Sequence, residues 1–135
     1  MLQFYFLSIL FNTVTGLVLL VADGEDKVSE GKLPVFVFDE TFRLVLGILT
    51  AVTGFFKLLT AVRGDIPVIG DLLPAIAGLA GGFALLYEFY KNRSTVEDIQ
   101  LPPVVQRIVE GRRYVGIVSL VAAACHFLFP TVIFL

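Results

Sequence analysis

The chain has 135 residues, 57% of them hydrophobic and 16% charged, with a formal net charge of −2 and a mean hydropathy of +0.90. A soluble domain is roughly 45–50% apolar and about 25% charged, so this chain has too few charges to coat a water-facing surface and too much apolar mass for disorder. No basic cluster points to nucleic acid, and one cysteine and one histidine supply neither a disulfide framework nor a thiolate or multi-histidine metal site, which leaves an all-α integral membrane protein with lipid as its first partner.

A membrane helix needs about 20 predominantly apolar residues, and four segments approach that length between turn or charge signals. The first runs from about Leu2 to Ala22 without a charge; it has no charged leader and exceeds a signal-peptide core, so retention is expected. The second runs from about Phe42 to Val62, interrupted by Lys57. The third follows Gly70-Asp71 and reaches about Tyr90, with Asp71 placed as an N-cap and Pro74 in the first turn. Before the fourth, Val104, Val105, Ile108 and Val109 predict one face of a short amphipathic helix. The fourth runs from about Tyr114 to Leu135 with His126 inside it.

Eight of the ten Lys and Arg residues fall in or beside the loops joining spans one to two and three to four. By the positive-inside rule this places both longer loops in the cytoplasm and both termini outside, in a cytoplasmic (inner or plasma) membrane. A shift of 69 residues lays the second span on the fourth, with Arg43 on Arg112 and Gly47-Ile48 on Gly116-Ile117, and a shift of 62 lays the first on the third. The expected architecture is therefore a single domain, 1–135, of two duplicated hairpins (about 1–62 and 63–135) related by a pseudo-two-fold along the membrane normal.

The duplication sets out two stripes at spacing 3, 4, 3: Gly47, Thr50, Gly54, Lys57 and Gly116, Ser119, Ala123, His126. That spacing keeps one helix face, and small residues allow close backbone approach, so the stripes are expected to form a packing seam between spans two and four. Gly78 and Gly82 add a small ridge on span three. The competing reading is a narrow polar path ending at Lys57 and His126.

Polar groups within spans need partners. Lys57 is expected to snorkel to the headgroups and Asn12 to bond across helices. His126 is expected to be satisfied by hydroxyls or amides of other spans. Pro130 cannot donate to the His126 carbonyl, so a helix continuing through it would bend and leave that acceptor open. Glu88 can pair with Lys91 one turn on. Cys125 reads as a small apolar residue, and Asp65 with Asp71 lacks the further oxygens of a cation site.

No HExxH, Walker A, GxSxG, paired-cysteine or paired-histidine haem motif occurs, so neither catalysis nor a cofactor nor a metal is expected. Small-residue ridges without chemistry point to an accessory or structural subunit of a larger membrane complex, partnered by other membrane subunits or by itself. A small homo-oligomeric channel or transporter, using the stripe that ends at Lys57 and His126, is the alternative.

Overall fold

A computed structural model describes residues 2–22, 37, 39–59, 72–95 and 101–129. They form five helices: α1 (Leu2–Ala22), α2 (Glu40–Leu59), α3 (Leu72–Arg93), α4 (Pro103–Glu110) and α5 (Arg112–Leu128). The helix starts follow their sequence signals. Asp39 caps α2 by accepting the Thr41 N–H on its carboxylate at 3.1 Å. Pro103 opens α4 behind an extended Pro102, as the residue preceding a proline prefers. The Asp71 cap and the Asp65 pair lie outside the described residues.

Three helices, α1, α2 and α3, are long and apolar enough to cross a membrane. The expectation of four spanning helices in two equivalent hairpins is thereby corrected. The fourth apolar segment supplies α5, a helix of 17 residues, and both of its ends explain why it is short. Gly111 closes α4 by donating to the Arg107 carbonyl and opens α5 by accepting the Val115 N–H, so the new helix begins on charged Arg112 and Arg113. At the far end Phe129 precedes Pro130, which disfavours helical dihedrals; Phe129 sits at φ −128°, ψ 65° and α5 stops at Leu128 instead of bending through the proline.

α1 and α3 run parallel and touch: Asn12 faces Pro74 and Thr15 faces Gly81. α2 and α5 run antiparallel to that pair on its opposite sides, α2 packing chiefly on α3 and α5 chiefly on α1. α4 lies across the end where α3 finishes and α5 begins. An apolar core of Val18, Leu19, Leu46, Ala84 and Leu85 fills that half of the bundle, joined by Ile108 from α4. The exterior is apolar too: Phe6, Leu10, Leu17, Phe55, Val121 and Phe127 are each more than half exposed, the reverse of a water-soluble distribution.

The close approaches are made by glycine. A Cβ on Gly82 would stand 2.7 Å from the Ala51 nitrogen and 2.7 Å from the Gly47 oxygen, both backbone atoms of α2. A Cβ on Gly78 would meet nothing nearer than 3.4 Å, ordinary van der Waals contact. Gly82→Ala is therefore expected to destabilise the protein by about 1–3 kcal/mol through overpacking. Gly78→Ala is expected to be neutral or stabilising, since alanine gains about 1 kcal/mol of helix propensity over glycine. Thermal unfolding of both variants in mild detergent checks this, and equal stabilities would show that α2 and α3 are not held at glycine distance.

Candidate functional site

The polar side chains of the apolar helices point inward. Ser8, Asn12 and Thr15 on α1, Thr50 and Thr53 on α2 and Ser119 on α5 are all buried, and the charged groups gather at the two ends of the bundle.

In the middle, the Thr50 hydroxyl donates to the Leu46 carbonyl one turn back at 2.7 Å, leaving Thr15 to donate to Thr50 across the helices at 2.8 Å. Asn12 donates to the Pro74 carbonyl at 3.0 Å, so it does bridge helices, and its Oδ1 has no hydrogen-bond partner. Ser119 reaches the Ala77 carbonyl at 3.4 Å.

At one end, Lys57 and His126 meet, Nζ to Nε2 at 3.1 Å, with 2% and 1% of their surfaces exposed. The expected snorkelling of Lys57 is corrected: its stem turns into the bundle. At Nε2 the partner of the His126 ring is a lysine, where a hydroxyl or amide is expected from sequence. With Lys57 charged the ammonium can only donate, which makes Nε2 the acceptor and puts the ring proton on Nδ1. Tyr5 completes the cluster. Its ring lies 4.6 Å from the His126 ring and 5.5 Å from Lys57 Nζ, and its hydroxyl donates to the His126 carbonyl at 2.7 Å. That carbonyl is the acceptor which Pro130 leaves without its helical donor.

At the other end, Arg43, 8% exposed, donates through Nε to the Val37 carbonyl at 3.0 Å and through NH1 to Glu88 Oε1 at 2.7 Å. Arg112 NH1 approaches the same oxygen at 3.8 Å. The expected Glu88–Lys91 pairing is thus replaced by arginines from two other helices, which put a partly buried carboxylate under stronger, forked donors.

The two stripes do not face each other along their length. Gly47 and Gly54 of α2 pack on Gly82, Ala75 and Gly78 of α3, while Gly116 of α5 packs on Gly16 of α1. Ala123 is buried within the bundle. The stripes converge only where Lys57 meets His126. Tyr5 and Arg43 are not among the candidate site residues that the sequence suggests. The signal for Arg43 was available, since it aligns with Arg112 at the shift of 69 and both reach Glu88. For Tyr5 the signal was the proline-orphaned carbonyl of His126, which calls for a donor but does not say from where. Among the described residues no three of His, Cys, Asp and Glu gather as metal ligands.

A protein-family model matches residues 1–126. A protein of Treponema pallidum (strain Nichols), described as an uncharacterized protein, is 33% identical over 135 residues, the full length of both chains. The chain belongs to the family that this relative shares. No solved structure matches it.

Each end cluster generates an expected outcome. His126→Leu removes the nitrogen that meets Lys57 and is expected to cost about 1–3 kcal/mol, whereas His126→Gln retains an acceptor of similar reach and should stay closer to wild type. Arg43→Met removes the short bond to Glu88, a carboxylate whose side chain is 20% exposed, and is expected to cost about 2–3 kcal/mol, somewhat below the value for a fully buried pair. Arg112→Gln, acting at 3.8 Å from a side chain 36% exposed, should cost about 1 kcal/mol or less. Unfolding midpoints of the four variants test this ordering; an Arg112 variant less stable than the Arg43 variant would reverse the roles assigned to the two arginines.

Proposed function

We propose that the chain is an integral membrane protein that serves as an accessory or structural subunit of a larger membrane complex, without catalytic chemistry of its own. The observation that carries this reading is the closed interior. Backbones of α2 and α3, and of α1 and α5, approach so closely that added Cβ atoms would collide, and Asn12 and Thr15 of α1 bond across to α3 and α2. Such an interior suits a rigid element whose apolar exterior meets lipid and neighbouring subunits. The excess of Lys and Arg in the two longer loops supports a cytoplasmic position for them. Tyr5 near the start of α1 and His126 near the end of α5 share the end of the bundle opposite Arg43 and Glu88, an arrangement that fits the reading with both termini outside.

One observation favours a second reading, a small homo-oligomeric channel or transporter. A lysine and a histidine buried in contact share a single bonding proton, the kind of intramembrane pair found along ion and proton pathways.

The test is purification of the tagged protein from its native membrane in mild detergent, with identification of what accompanies it. A different membrane polypeptide at fixed stoichiometry is the expected result. A homo-oligomer alone, whose flux in liposomes is lost in Lys57→Met, would replace the accessory reading with the transport one. Orientation is checked in a Cys125→Ala background by placing a cysteine at Ser29 or Ser94; each should react with an impermeant thiol reagent only after the membrane is opened.

A further inference from the structure

At the Arg43 end, where α2, α3, α4 and α5 converge, the bundle carries an open cleft of about 730 Å³. Small-molecule sites commonly occupy about 300–1,000 Å³. Buried Ala84 and Arg43 form its floor, and exposed Lys91, Asn92 and Glu110 stand at its mouth. Three cations, Arg43, Lys91 and Arg112, and three anions, Glu40, Glu88 and Glu110, line it.

This balance of charge selects by sign. A simple anion that reached the arginines would also face three carboxylates, and a simple cation that reached the carboxylates would face two guanidiniums and an ammonium. A ligand bearing both signs a few ångströms apart meets each group with its opposite. Pairing inside the cavity leaves acceptors to be used. Glu88 receives both arginines on Oε1, Glu40 accepts from Arg93 on Oε2 at 3.3 Å and Glu110 accepts from Gln106 on Oε1, so the two exposed carboxylates at the rim each keep a second oxygen. The acidic part of the ligand has to serve cations presented by two different helices, Lys91 of α3 and Arg112 of α5, which suits the several oxygens of a phosphate. The cationic part faces carboxylates and a single aromatic wall, Tyr87, which suits an N–H-bearing primary ammonium over a quaternary one that prefers an aromatic cage.

We propose that this cavity binds a zwitterionic phosphate ester, a primary ammonium joined by a short linker to a phosphate, with the phosphate toward Arg112 and Lys91 and the ammonium toward Glu110 and Glu40. An ethanolamine phospholipid headgroup and free O-phosphoethanolamine present this same chemistry. The assignment rests on the cavity and its charges, and holds whether or not the chain is an accessory subunit.

Native mass spectrometry of the full-length protein in mild detergent tests it, using equimolar phosphatidylethanolamine, phosphatidylglycerol and phosphatidylcholine in one arm and O-phosphoethanolamine alone in the other. Retention of phosphatidylethanolamine about fivefold above the other two lipids identifies the membrane as the source. Binding of O-phosphoethanolamine without lipid preference identifies the soluble form. In either case Arg112→Gln and Glu110→Gln should each weaken binding about fivefold or more, at unchanged unfolding midpoint for the exposed Glu110 variant, while Arg113→Gln, outside the cavity lining, should leave it intact. Equal retention of the three lipids together with no binding of O-phosphoethanolamine, or binding unaffected by both cavity variants, overturns the proposal.

Discussion

The constraint on which the structure depends is that polar groups carried on long apolar helices have to be satisfied inside the bundle, because an apolar exterior offers them nothing. Serine, threonine and asparagine have short reach. For Thr15 to meet Thr50 at 2.8 Å, or Asn12 the Pro74 carbonyl at 3.0 Å, the backbones must come close. Glycines provide that approach: Gly81 admits the Thr15 methyl and Gly82 lets the α2 and α3 backbones meet. The small residues and the polar residues are thus two halves of one device. Enlarging a glycine separates the helices, and separated helices leave hydroxyls and amides without partners.

Longer polar side chains escape this limit, and they stand at the ends. Arg43 and Arg112 belong to helices on opposite sides of the α1–α3 pair, yet both guanidiniums reach Glu88. Lys57 and His126 span the same gap at the other end. α2 and α5 are therefore coupled through long side chains at their ends, whereas α2–α3 and α1–α5 are coupled through backbone proximity along their lengths. The two modes differ in softness. Glycine-mediated contact fixes a distance within tenths of an ångström, while a guanidinium or a lysine stem tolerates larger displacement before its bond is lost.

Much of this was legible in sequence, and what was not has a physical cause. Helix positions followed from apolar runs and turn signals, and the short α4 from its two-sided pattern. Small-residue stripes marked close approach, but spacing on one helix says which face packs and not which helix it meets. Gly47 and Gly54 accordingly found α3 rather than α5. Lys57 was misjudged for a related reason: distance from a helix end favours snorkelling for a lone lysine, and only the tertiary placement of His126 makes an inward turn favourable. The separations themselves carried information. Lys57 and His126 lie 69 apart and Asn12 and Pro74 lie 62 apart, so at these two pairs the positions matched by the expected shifts do meet, whereas Gly47 and Gly116, also 69 apart, pack on different helices.

The fourth apolar segment shows local chemistry overriding length. By count of apolar residues it resembles the first three, but its first turn is spent on charged Arg112 and Arg113 after Gly111, and Pro130 ends it at Leu128. Proline also removes the donor that the His126 carbonyl would have had, and the Tyr5 hydroxyl supplies one from α1 at 2.7 Å. A helix-breaking residue thereby creates a demand that a neighbouring helix fills. The bond fixes the height of α5 against α1 at the same level where the His126 ring packs at a tilt against Tyr5 and meets Lys57. A proline outside the helix is in this way part of what holds the buried lysine–histidine pair in register.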